Sequence, residues 1–218
     1  MFIKFPWLHL QRLKKTGYKP MKDKIISKAG ELFLKLGFKS ITMDDIAAEM
    51  GISKKTIYKY FSNKEILVEE STSMMHTAIH QIIESIIAEN HNPIKESFEI
   101  KRMFQEMFKV ANSSPLYQLK KHYPEIYDKV VAKETSECNR FLRHNIERGI
   151  NDGWYREHLN IEAYIKFYYT LIFSIKDGTS LESESQKLEL EALEYHTRAM
   201  ATAKGIEELE LQLSKTNQ

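Results

Sequence analysis

Apolar residues recur every three or four positions along most of the chain, and no stretch alternates apolar with polar residues for the length of a strand. Ile25, Ile26, Ala29, Leu32, Phe33 and Leu36 form one such face between residues 22 and 37, with Gly37 as the stop. From Asn63 to about Asn90 a longer stripe, Met75, Ala78, Ile79, Ile82, Ile83, Ile86 and Ile87, predicts a helix of roughly 40 Å. Asn92-Pro93 interrupts the chain; Ile94, Phe98, Phe104, Met107, Phe108 and Ala111 then predict a helix that ends at residues 112–115. After a short piece over 116–123, Pro124 is well placed to open a helix that runs through Tyr127, Val131, Cys138, Phe141, Leu142 and Ile146 to Gly149. Asn160 caps the next, which carries Tyr164, Phe167, Tyr168, Leu171, Ile172 and Ile175 and stops at Gly178, and a final pair spans about 184–203 and 206–215. The predicted fold is all-α.

Residues 41–67, ITMDDIAAEMGISKKTIYKYFSNKEIL, carry more than amphipathic spacing. Thr42 can accept from the backbone N–H three residues on while Asp45 reaches back, the reciprocal pairing of a capping box. Ile46, Ala47 and Met50 face inward, and Gly51 follows where a left-handed residue is needed to leave the helix. Ile52 fills the corner and Ser53 caps the next helix, whose buried Ile57 and Phe61 stand one turn apart. Lys54, Lys55, Thr56, Tyr58, Lys59 and Tyr60 are left for the outer faces. Nine residues rise roughly 13 Å, short enough to enter a DNA major groove end-on. Ser62 with Glu65 predicts a second capping box, placing Lys64 in the first turn of the following helix, where its charge opposes the helix dipole and a phosphate would relieve the conflict. The segment reads as a helix-turn-helix; the plainer reading is a helical hairpin with a solvated lysine face.

The order of cap, glycine turn, cap, aromatic exit and cap resembles the N-terminal domain of the TetR family of bacterial transcription regulators, whose T-x-x-x-I-A-x-x-x-G-[VI]-S-x-x-x-[IL]-Y-x-[YH]-F-x-x-K-x-x-L pattern is nearly intact here over residues 22–67. The resemblance implies that Thr42 contacts phosphate and that Ser53, Lys54, Lys55 and Thr56 meet bases and backbone, with Lys59 on the same helix. Tyr58 and Tyr60 match aromatic positions that touch phosphate, the alternative being that either wedges the third helix against the fourth. Lys64 matches the lysine at the start of helix four. Many relatives carry a small residue at the position of Lys55, so base preference there is not transferable; a lysine could donate to guanine or simply meet phosphate. The segment GINDGWYR, residues 149–156, resembles the G-x-x-x-G-x-x-R corner between helices seven and eight of many members.

Charge is divided in the sense this resemblance requires. Residues 1–64 hold 14 Lys or Arg against 5 Asp or Glu, whereas residues 65–218 hold 18 against 25, so an overall +2 conceals a basic head and an acidic body. A single cysteine excludes an intrachain disulfide and fits a reducing cytoplasm; Cys138 reads as a buried small hydrophobe. No run of 18 apolar residues could cross a membrane. Residues 1–20 are basic with scattered apolar residues and lack a cleavage site, so they read as a flexible arm or an upstream start rather than a signal peptide. The expected organisation is an extension over 1–20, a DNA-binding domain over 21–67 and a helical ligand-binding and dimerisation domain over 68–218.

For that last domain the resemblance implies a four-helix bundle between two subunits and an enclosed pocket for a small-molecule effector. Tyr168, Leu188, Ala192, Tyr195 and Ala199 are the dimer candidates. Phe104, Met107, Phe108, Tyr127, Phe141, Trp154 and Phe167 are the pocket candidates, although aromatic and methionine residues at helical spacing are core first. His76 and His80, one turn apart, could share a metal, but no third ligand stands at a diagnostic spacing and the pair reads as exposed. There is no nucleophile motif, phosphate-binding glycine loop or HExxH, so neither enzyme activity nor a metal or cofactor is expected. The expected function is a dimeric repressor on a palindromic operator in double-stranded DNA, released by a small molecule. An all-helical enzyme and a helical interaction module without DNA affinity are the competing classes.

Overall fold

The computed structural model of the protein describes residues 20–216, apart from the side chains of residues 137 and 138. The expectations for the N-terminal arm over residues 1–19 and for Cys138 therefore lie outside the described residues. The described residues form ten helices: α1 (Met21–Leu36), α2 (Met43–Met50), α3 (Lys54–Tyr58), α4 (Lys64–Ala88), α5 (Pro93–Phe108), α6 (Pro115–His122), α7 (Pro124–Asn151), α8 (Ile161–Gly178), α9 (Glu182–Met200) and α10 (Ala203–Thr216). Among the described residues there are no strands, only two isolated bridges, Ser113 with Leu181 and Tyr155 with Ala201. The chain is all-α, with an N-terminal helix-turn-helix unit and a helical C-terminal body.

Short polar side chains start most of these helices by accepting one of the first unpaired backbone N–H groups. Thr42 accepts from Asp45 N–H while the Asp45 carboxylate takes the Thr42 N–H, completing the predicted box. Ser53, Asn92, Ser114 and Asn160 act alike on α3, α5, α6 and α8. Ser62 does not: the cap of α4 is Asn63, which accepts from Ile66 N–H, one residue later than expected. An Asn amide serves the same orphan N–H as well as a hydroxyl does, so two adjacent cap formers left the register open. Helix α3 is also shorter than expected. It covers five residues, about 7.5 Å, because the backbone at Lys59 and Tyr60 tightens into a turn with Tyr60 N–H on Ile57 O.

Helix α7 continues past Gly149 to Asn151, and α9 and α10 begin two and three residues earlier than the sequence suggested. Gly149 is tolerated inside a helix because the Tyr155 ring lies directly on it; a Cβ there would stand 2.1 Å from a ring carbon. The glycine turn at Gly51 is left-handed, with φ +62.

Three apolar clusters organise the interior. The head core gathers Ile25, Phe33, Ile46, Ile57, Phe61 and Leu67 from α1 to α4, all fully buried, each contributing roughly 1.5–3 kcal/mol. This core does not end at the head, because Leu119 of α6 and Ile126 of α7 complete it. A second cluster centres on Ile94, Phe98, Ile146, Tyr155 and Leu209, and a third on Ile79, Ile83, Met103 and Phe108.

Candidate nucleic-acid interface

The two-helix unit α2–α3 is held by buried Ile46, Ala47 and Ile57 beneath and by capped ends, so its outer face is free to carry chemistry. Thr42, Ser53, Lys54, Lys55, Lys59, Tyr58 and Tyr60 are all exposed there, with Thr56 half-buried. The two tyrosines are 44% and 43% exposed. Lys54 is partly spoken for: its Nζ donates to Asp44 Oδ2 at 2.8 Å, a bond that raises its pKa. Neither Lys55 nor Lys59 makes an ion pair among the described residues. Lys64 behaves differently from the other lysines. Its Nζ donates to the Lys39 carbonyl at 3.0 Å and lies over the Phe33 ring, and burial lowers its pKa.

Beneath the head, helices α4, α5, α6, α7 and α8 enclose a cavity of about 150 Å³. Phe104, Phe108, Tyr169 and Phe173 give it apolar walls, and Pro115, Leu116 and Leu119 of α6 form the side next to the head. Lys176 and Glu182 mark a polar end, where buried Lys101 donates to Glu189 at 2.9 Å and Lys176 stands 3.6 Å from the same carboxylate. A second cavity of about 110 Å³ lies between Phe141, Tyr155, Tyr168 and His196.

Residues 25–71 match the family described as bacterial regulatory proteins, tetR family. The biofilm operon icaADBC negative transcriptional regulator IcaR of Staphylococcus aureus strain Newman is 26% identical over 177 residues, 76% of this chain and 92% of that protein. The crystal structure of a transcriptional regulator from Cytophaga hutchinsonii shares the fold, with TM-score 0.67 at 16% identity over 83% of this chain and 98% of the other. SmeT, the repressor of the Stenotrophomonas maltophilia multidrug efflux pump SmeDEF, aligns with TM-score 0.58 at 16% identity over 85% and 92%. Over residues 25–71 the chain therefore carries the domain that marks the TetR family. It is a helix-turn-helix, DNA-binding transcription regulator, and among the described residues no helix is long and apolar enough to cross a membrane.

In the body the aromatic residues singled out in the sequence go to different places. Phe104 and Phe108 line the larger cavity and Phe141 the smaller one. Met107 is buried in the third apolar cluster, and Trp154 packs on the second with Lys204 Nζ 3.8 Å from the centre of its ring. Tyr127 lines neither cavity; its hydroxyl donates to Asp177 Oδ2 while its ring packs on the head core. Phe167 is 59% exposed on the outer face of α8. It lies on the same pair of packed helices as Leu171, Leu188 and Tyr195, all exposed, while Tyr168 and Ala199 are half-buried and Ala192 is buried within the subunit.

The histidine pair departs most from expectation. His76 and His80 are buried at 5% and 8%, not exposed, and the third group that the sequence did not offer is Glu134 of α7. The signal was present in part: positions 76, 79, 80 and 83 share one helical face, and Ile79 and Ile83 had marked that face as core.

Proposed function

We propose that this protein is a homodimeric, cytoplasmic repressor that binds a palindromic operator in double-stranded DNA and releases it when a small molecule enters the cavity beside α6. The observation that carries the reading is the exposed set Lys55, Tyr58, Lys59 and Tyr60 on a short helix and the turn that ends it, a cationic and aromatic face with no partner of its own for Lys55 or Lys59 among the described residues. Thr42, Ser53, Lys54 and Thr56 flank that face and complete the phosphate and base contacts, and Lys64 anchors the loop at Lys39 from the start of α4. One such helix spans too few bases for specificity, so two-fold pairing is needed to read two half-sites about one helical turn apart. Phe167, Leu171, Leu188 and Tyr195 supply the apolar face for that pairing, with Tyr168, Ala192 and Ala199 packed behind it. The head, residues 21–67, and the body, residues 68–218, are then a reader and a sensor.

Helix α6 links the two. Pro115, Leu116 and Leu119 face the cavity, while Leu119 also completes the head core and Gln118 accepts from Phe38 N–H. A ligand that favours one position of α6 thereby favours one position of the head, and only a difference in affinity between the two states shifts operator binding. The test is footprinting of the purified chain on its own upstream DNA with sedimentation in parallel, followed by a ligand screen for release. A chain that stays a single subunit at micromolar concentration and protects no fragment would end this proposal.

A further inference from the structure

Helices α4 and α7 bring three metal-ligating side chains to one point in the body. His76 and His80 stand one turn apart on α4 with ring centroids 4.2 Å apart and planes inclined by 31°. From α7, Glu134 places Oε1 3.4 Å from His76 Nε2 and Oε2 3.6 Å from His80 Nε2. One ligand atom from each of the three lies within 4.8 Å of the others, and the histidines are almost fully buried.

The distances carry the inference. Bonds of about 2.0–2.1 Å to a tetrahedral zinc ion set neighbouring ligand atoms roughly 3.4 Å apart. The two nitrogen to oxygen separations, each to a different oxygen of Glu134, lie near that spacing. Two imidazoles and one carboxylate are also the donor set of a borderline divalent ion, whereas calcium and magnesium select oxygen alone. His76 and Glu134 line the larger cavity, so a fourth coordination position would open onto its apolar interior between Phe104, Phe108 and Tyr169.

We propose that His76, His80 and Glu134 bind one divalent first-row transition ion, zinc by its ligand chemistry, in the wall of the effector cavity. Such an ion ties α4 to α7 and offers the cavity a Lewis-acidic point for an oxygen or nitrogen donor on an otherwise apolar effector. The site stands apart from operator binding, because its test reads metal and not DNA.

The full-length untagged chain, stripped with chelator, is titrated with cobalt(II) and then zinc(II), followed by visible absorption and native mass spectrometry. The expected result is one cobalt per chain with the intense d–d bands of four-coordinate cobalt, displaced by one zinc. Glu134→Gln and His80→Asn should abolish the bands and weaken zinc binding beyond the roughly 10- to 100-fold that second-shell changes cost. His91→Ala and His158→Ala should leave both unchanged. Where a buried variant fails to fold, zinc-edge absorption of the wild-type complex decides, with two imidazole nitrogens and a carboxylate oxygen expected. Absence of stoichiometric cobalt or zinc binding to the wild type, an isotherm unmoved in folded Glu134→Gln and His80→Asn, or a spectrum with fewer than two imidazoles overturns the proposal.

Discussion

The backbone N–H of Phe38, in the loop of the DNA-binding head, donates to the side-chain oxygen of Gln118 on helix α6 of the body at 2.9 Å. Phe38 is buried and stacks on Phe33, and the preceding Gly37 has φ +94, a conformation that brings the loop against the Gln118 amide. A Cβ on Gly37 would meet that amide oxygen at 2.9 Å. Head and body are thus joined by a directional bond beside a shared apolar core, and α6 presents its other side to the cavity.

Replacing Gln118 by Leu keeps the volume and removes the acceptor. The Phe38 N–H is then left without its partner in a half-buried place, and a cost of about 1–3 kcal/mol in unfolding free energy is expected. Urea titration measures it. An unchanged midpoint and slope would show that water replaces the glutamine at no cost.

On the proposed reading Asp44 competes with DNA for Lys54. Asp44→Asn removes the 2.8 Å ion pair, so operator affinity should rise and the dependence of log K on log salt should steepen by about 0.9 if the released ammonium takes one phosphate. Lys55→Ala should do the opposite, lowering affinity with a slope shallower by about one, and should also alter preference at one base if Lys55 reads it. Equilibrium binding to the footprinted fragment at several salt concentrations separates the two; identical behaviour of both variants would contradict the assignment.

Gly149→Ala should be strongly destabilising. The new methyl would sit 2.1 Å from the Tyr155 ring, which is 2% exposed and bonded through its hydroxyl to Asn145, so the ring or the backbone must shift. Overpacking of this kind costs about 1–3 kcal/mol or more, visible as a lower thermal midpoint. Gly153→Ala, at a φ of +73 but with open space around it, should lose only the smaller strain of a left-handed alanine.

His196 should give the protein an acid-sensitive stability. Burial against Tyr164 and Tyr168 holds its imidazole neutral, with the pKa pushed down to about 4. The unfolded chain takes up this proton near pH 6.5, so between those values the unfolded state binds more protons and stability falls as pH is lowered. The loss approaches about 3 kcal/mol near pH 4. His196→Leu should flatten that part of the curve, and equal slopes for wild type and variant in urea titrations across the range would refute the assignment.

Much of the head was legible in the sequence because its determinants act over three or four residues. Thr42 with Asp45, Gly51 at φ +62 and Ser53 are each where local chemistry predicted them. The same locality explains the miss at Ser62 and Asn63, two neighbours equally able to cap, between which only the packing of α4 chooses. Phe167 shows the limit of periodicity: it repeats with the apolar residues of α8, yet the subunit's own core takes the adjacent face and leaves the ring outside.

By itself the sequence determined the helices, their caps, the cationic outer face of α3 and the division of charge, since each depends on contacts within a turn or on composition. Only the tertiary structure decided that α6 would bridge head and cavity through Leu119 and Gln118, and that Glu134 would meet His76 and His80. Those meetings depend on the register and crossing of helices far apart in the chain, and that register is set by the close packing of whole side-chain surfaces, which no local pattern encodes.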